Sequence, residues 1–162
     1  MGALYALKGR GGQQPTAVIA ADIVALRSLL PELAGAELAA VSRLLPGPFT
    51  LIVSNPAQRY PWLSGDRPHT LGVRIAVLPQ VTQNVLNAVG AVAATSANDP
   101  GEQPAASLAD VPARLIEGCG AVLDGGALPG TPSTIVDLTG SEPVIVREGM
   151  VSAAETLARL AS

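Results

Sequence analysis

The chain is poor in the side chains that usually carry covalent, redox or metal chemistry. It has one cysteine, Cys119, and one histidine, His69, among 162 residues. A lone cysteine excludes an internal disulfide, and one Cys with one His leaves no set for a structural zinc. A reducing, cytoplasmic location is the default that follows. A nucleophile-and-base pair would need these two lone residues to converge. Cys119 sits in Gly118-Cys119-Gly120, where a small buried thiol is the plainer reading, and His69 sits in a polar loop as a solvated side chain. Aromatics supply only 2% of the residues, so the core must be built from Ala, Val, Leu and Ile. No apolar run reaches the ~18 residues of a membrane-spanning helix. The apolar start, residues 1–7, is too short for a signal segment, and its basic residues follow rather than precede it. A Gly-rich loop ending in Lys-Ser or Lys-Thr is missing, as is a dinucleotide fingerprint, so a nucleotide must be held by another arrangement. Positive charge is not in excess either: the net charge of −3 argues against a globally basic nucleic-acid surface.

What is present is an alternation of strand-like and helix-like apolar runs separated by Gly and Pro, which predicts one α/β domain over residues 1–162. Strands are expected at residues 16–20, 49–54, 71–75, 91–95, 121–124, 134–138 and 144–147, the last two paired around Gly140-Ser141. Helices are expected at 22–30, stopped by Pro31, at 36–45, and from Pro79 to 89. A further helix is expected after Ser107, whose spacing to Asp110 fits a capping box, and a last one from Ser152, with Glu155 in the same relation. The polar connection 55–70 is long enough to be functional.

Several polar residues stand at the ends of apolar strands. Lys8 and Arg10 are one residue apart and, if extended, point to the same side, where they can grip a polyphosphate or carboxylate. Arg74 is embedded in Leu71-Gly72-Val73-Arg74-Ile75, and a buried guanidinium needs either an internal carboxylate or an anionic ligand. Thr95-Ser96-Ala97-Asn98 follows a strand directly, at the carboxyl end where open α/β sheets bind ligands. Pro132-Ser133-Thr134 and Arg147-Glu148-Gly149 raise the same question, and each also fits ordinary loop chemistry.

Together these segments resemble the YrdC-like family. The resemblance rests on Lys8-Gly9-Arg10, Leu45-Pro46-Gly47-Pro48-Phe49-Thr50-Leu51, Gly72-Val73-Arg74-Ile75, Thr95-Ser96-Ala97-Asn98, Pro132-Ser133-Thr134-Ile135-Val136-Asp137 and Val146-Arg147-Glu148-Gly149, in the family's order. It implies a twisted mixed sheet, parallel and antiparallel, flanked by helices around a concave central cavity. It also implies a nucleotidyltransferase that makes threonylcarbamoyl-AMP and pyrophosphate from L-threonine, bicarbonate and ATP, with Mg²⁺ held mainly by the ATP. By the same resemblance Lys8 and Arg10 face the phosphates as the catalytic cations, and Thr70, Ser96, Asn98 and Arg147 hold or flank the nucleotide. Arg74 and Ser133 hold threonine. The implied partners are the tRNA threonylcarbamoyl transferase machinery and tRNA or double-stranded RNA.

The implied reaction suits the residue inventory, because an amine that forms a carbamate and a carbamate that attacks a phosphate need positioning and charge stabilisation rather than a protein nucleophile. The chain departs from the family pattern in two ways. Lys8 stands almost at the start of the sequence, where the family carries a further segment that closes one wall of the cavity; without that segment an unpaired sheet edge would favour a homodimer. Ala76 and Gly11-Gly12-Gln13-Gln14 stand where prolines are usual. The rival reading is a non-catalytic domain of the same fold that holds nucleotide or double-stranded RNA, which would require Lys8, Arg10, Arg27, Arg43, Arg59 and Arg67 to cluster. Carbamoyl transfer for a partner domain is a second rival.

Overall fold

The computed structural model describes residues 2–9 and 11–162. In chain order they form α1 (Gly2–Lys8), β1 (Ala17–Ala20), α2 (Ile23–Leu29), α3 (Gly35–Leu44), β2 (Phe49–Ser54), α4 (Pro61–Ser64) and β3 (Thr70–Arg74). These are followed by α5 (Gln80–Val89), β4 (Ala91–Ala94), a 3₁₀ turn at Leu108–Asp110, α6 (Ala113–Glu117), β5 (Thr134–Asp137), β6 (Val144–Arg147) and α7 (Ala153–Ala161). The six strands form one sheet in the order β4-β1-β3-β2-β5-β6. β1 runs parallel to β3 and β2 parallel to β5, while the other three neighbour pairs are antiparallel. This is the mixed, helix-flanked sheet that the family resemblance implied.

The strands divide the sheet into two faces by simple alternation. Val18 and Ala20, Phe49, Leu51 and Val53, Leu71 and Val73, and Val136 are all buried and point to one side. There they meet Leu26 of α2, Val41 and Leu44 of α3, and the linker residues Leu30 and Leu33. With few aromatics available, this core is aliphatic, and each fully buried Val, Leu or Phe contributes about 1.5–3 kcal/mol of transfer free energy. Local signals start the helices that cover it. The Asp22 carboxylate accepts from the Ala25 amide at 2.8 Å to open α2, and Ser152 Oγ accepts from the Glu155 amide at 3.2 Å to open α7.

Four local expectations need correction. Residues 121–124 do not join the sheet. Val122 and Leu123 are about half exposed, because a strand-like sequence becomes a strand only where a neighbour offers backbone partners. Cys119, just before it, is therefore exposed rather than buried. The helix expected after Ser107 is split: Ser107 Oγ bonds the Asp110 carboxylate at 2.8 Å instead of a helix amide, and α6 starts only after Pro112, which has no N–H to continue a helix. Residues 2–8 form a helix against α6, and Gly9 turns the chain with φ +61°, so Lys8 closes a helix rather than standing in an extended run.

Candidate active site

The face of the sheet away from the aliphatic core is the floor of a cavity of about 760 Å³, within the ~300–1,000 Å³ range of small-molecule sites. Its floor is the alternate set of strand residues: Ala17 and Ile19, Thr50 and Ile52, Thr70, Gly72 and Arg74, and Ile135. Six of the eight residues singled out from sequence line it: Thr70, Arg74, Ser96, Asn98, Ser133 and Arg147. Lys8 lies beside it, and Arg10 falls outside the described residues. Thr70 and Arg74 occupy opposite ends of β3, roughly 13 Å apart at the usual rise of a strand, so the cavity has two polar ends and an apolar middle.

One end gathers Arg74, Arg147, Thr50 and Ser133. Thr50 Oγ1 and Ser133 Oγ lie 2.8 Å apart, and Arg147 Nη2 donates to the Ser133 carbonyl at 2.8 Å. Arg147 reaches this end through a break in alternation. Ile135 stands opposite Arg147 and Val136 opposite Ile145, so one step along β5 matches two along β6. Unbroken alternation would put Arg147 on the side of Ile145, which packs on the core, and the bulge returns it to the cavity.

Burial, and after it the neighbouring positive charge of Arg147, lower the pKa of the Arg74 guanidinium from its ordinary value. Arginine nonetheless stays protonated in the working range, and among the described residues no carboxylate pairs with Arg74. Of the two ways to satisfy it that the sequence leaves open, an internal acid is not the one found.

The other end is built from the starts of β1 and β3 and the segment after β4. Lys8, itself buried, donates through Nζ to the Ser96 carbonyl at 2.7 Å and also to the Asn98 carbonyl, so it braces the Ser96–Asn98 turn from behind. Asn98 Nδ2 donates to the Glu102 carbonyl at 2.6 Å. Arg67 reaches from the 55–70 connection to Asp137, with 2.9 Å between Nη2 and Oδ2. Burial pushes the Asp137 carboxyl up, but hydrogen bonds from the Thr139 hydroxyl and amide, together with Arg67, outweigh it and leave its pKa below the usual value.

The described residues contain three buried side-chain polar atoms without a hydrogen-bond partner: Ser64 Oγ, Arg74 Nε and Asn98 Oδ1. All three belong to residues that line this cavity. Buried polar atoms are nearly always paired, so three orphans converging on one cavity mark the place where a ligand completes the structure. The lining cations Arg67, Arg74 and Arg147 face a single lining carboxylate, Glu102, which suits an anionic ligand. No cluster of three His, Cys, Asp or Glu able to cage a metal occurs among the described residues, and a single carboxylate fits a Mg²⁺ carried in by phosphates. A second, apolar cavity of about 370 Å³ adjoins the first, sharing Thr95 and Ser96.

Sequence reasoning missed Ser64, Arg67 and Thr50. Thr50 was within reach, because it alternates with the apolar Phe49 and Leu51. Ser64 and Arg67 sit in a connection whose one-turn helix α4 has no periodic signature. Of the six cations whose clustering would favour RNA, Lys8 is buried, Arg59 pairs with Glu32 at 2.6 Å and Arg67 pairs with Asp137. No described helix is long and apolar enough to cross a membrane.

The family profile Sua5, YciO and YrdC, described as telomere recombination, matches residues 1–149. The threonylcarbamoyl-AMP synthase of Chromohalobacter salexigens is 39% identical over 142 residues, which is 86% of this chain and 75% of that protein. The enzyme of the same name from Chromobacterium violaceum is 33% identical over 141 residues, covering 83% and 69%. The crystal structure of P. abyssi Sua5 complexed with L-threonine superposes with a TM-score of 0.84 at 25% identity, over 96% of this chain and 46% of that one. E. coli YciO superposes with a TM-score of 0.80 at 23% identity, a likeness of fold. The chain thus spans about half the length of Sua5.

Proposed function

Because the chain belongs to the Sua5, YciO and YrdC family, we propose that it is an L-threonylcarbamoyladenylate synthase acting on L-threonine, bicarbonate and ATP. The amine of threonine condenses with bicarbonate to a carbamate with loss of water. A carbamate oxygen then bonds to the α-phosphorus of ATP as the bond to the bridging oxygen breaks, and pyrophosphate leaves. No protein atom forms a covalent bond, in keeping with a chain that has one Cys and one His.

Arg74 holds the threonine carboxylate, with Ser133 set beside it by Thr50. Arg147, already bonded to the Ser133 carbonyl, flanks the reacting centre, where a cation stabilises charge developing on the phosphorus oxygens. Ser96 and Asn98 hold the nucleotide with Thr70 beside it, Arg10 serves the phosphates, and Lys8 acts on them through the Ser96–Asn98 turn that it braces. Glu102, the lining carboxylate, would face a Mg²⁺ carried by the ATP, which would supply neutralisation of phosphate charge. The product goes to the transferase machinery that modifies tRNA, in the cytoplasm.

The observation that carries this reading is the convergence of all three described orphan polar atoms on one cationic cavity large enough for a nucleotide and an amino acid. The test is pyrophosphate release from ATP and bicarbonate with and without L-threonine. Threonine-dependent release is the expected result; binding of ATP without any release would leave a nucleotide-binding domain of the same fold.

A further inference from the structure

The 55–70 connection is held rigidly where it meets the cavity. Leu63 of α4 is buried in the core, its carbonyl accepts from the Thr16 amide at 2.9 Å, and the Trp62 carbonyl accepts from Tyr5 Oη at 3.0 Å. Gly65 follows with φ +58°, and a Cβ there would lie 2.4 Å from the Gln13 carbonyl oxygen, so only glycine turns the chain at this point. Ser64 is thereby fixed between the starts of β1 and β3, 2% exposed, as part of the cavity lining. Three other helical hydroxyls, of Ser28, Ser42 and Thr156, satisfy themselves on the carbonyl four residues back. Ser28 does so on Val24 and Ser42 on Leu38, both at 2.9 Å. Ser64 makes no such bond, and its Oγ has no partner among the described residues.

We propose that Ser64 is a nucleotide-contacting residue, its hydroxyl donating to a phosphate oxygen of ATP. The proposal rests on the reading of this cavity as an ATP site. Ser64 lines the cavity, so a ligand seated there supplies the partner that its hydroxyl lacks among the described residues. Ser64 lies at the end of the cavity that also carries Arg67 and the Lys8-braced Ser96–Asn98 turn, while Arg74 and Arg147 serve the opposite end. A phosphate oxygen offers only acceptors, which matches a donor hydroxyl beside cations.

The experiment is calorimetric titration of ATP and, separately, of L-threonine into the wild type and Ser64→Ala, with thermal melting of both proteins. Because Oγ bonds no described residue, the substitution is expected to leave the melting temperature unchanged and L-threonine affinity intact. ATP affinity is expected to fall about ten-fold, the size of a lost hydrogen bond to a charged group. Equal ATP affinity in the two proteins overturns the proposal. So does a parallel loss of melting temperature and of affinity for both ligands, which marks a packing role. Absence of ATP binding by the wild type overturns the synthase reading and the proposal with it.

Discussion

Arg74 occupies its place at a cost, since its guanidinium is largely withdrawn from water, repelled by Arg147 and left with an orphan Nε. Replacing it by an apolar side chain of similar length should therefore not destabilise the fold. Arg74→Met is expected to melt at the same temperature as the wild type or above it, while threonine-dependent pyrophosphate release falls at least ~100-fold, as for truncation of a buried charge contact. Enzyme assay and calorimetry on the one variant check both halves. Asp137 works in the opposite sense. Its folded pKa lies below the unfolded value of 3.8, so the stability it contributes is present above that value and is lost as pH falls through the folded pKa. Asp137→Asn should flatten the acid limb of the stability curve below about pH 4 and lose the ion pair to Arg67; denaturant melts across that limb would show it. At this scale the sequence was informative about Arg74, whose apolar surroundings announce a buried charge, and silent about Ser64, a common residue in an unpatterned connection.

Elements matter here chiefly through how they are joined. Thr134 opens β5 fully buried, and its Oγ1 donates to the Val151 carbonyl at 2.6 Å while accepting from the amides of Gly149 and Val151, both at 3.1 Å. A Cβ on Gly149 would lie 2.2 Å from the Pro132 carbonyl oxygen and 2.5 Å from the Ser133 carbonyl carbon. The Pro-Ser-Thr and Arg-Glu-Gly segments are thus one packed unit that sets Ser133 and Arg147 together. Gly149→Ala should cost about 1–3 kcal/mol of stability by overpacking and weaken threonine binding by shifting Ser133, and urea titration with calorimetry measures both. Strand β2 was legible at its full length, because Phe49–Ser54 is rich in β-forming residues, which in the fold alternate between buried and half-buried positions. Residues 121–124 were misread, because a β-rich tetrapeptide carries no information about whether a neighbouring strand is there to pair with it.

At the scale of the molecule, three polar atoms unpaired among the described residues, and an Arg74 that no described carboxylate neutralises, describe a fold whose free state is incomplete at one cavity. Ligands that fill it should stabilise by mass action. At a concentration ~100 times the Kd, either L-threonine or ATP is expected to add about 2.7 kcal/mol, a rise of several degrees in melting temperature. A flat melting temperature across both titrations would contradict the assignment of the cavity. Basic surface is another matter, since the net charge is −3 and Lys8, Arg59 and Arg67 are already engaged within the protein. Binding to double-stranded RNA is expected to vanish by ~150 mM salt, where counterion release no longer favours it, and a gel-shift series in salt checks this.

The alternation of apolar and polar residues along each strand, the caps at Asp22 and Ser152 and the order of the polar motifs are local properties, and the chain by itself determined them. They carried the α/β class and most element boundaries, and the family resemblance implied six of the residues that line the cavity. Only the tertiary structure decided that β6 bulges opposite Ile135 and so turns Arg147 inward, that α1 ends at Lys8 with its ammonium behind Ser96 and Asn98, and that Ser64 is clamped against β1 with its hydroxyl unpaired. Each of these depends on which backbone lies alongside which, through contacts between residues far apart in the chain. Periodicity fixes a side chain's direction relative to its own strand, but the neighbouring strand sets what that direction faces.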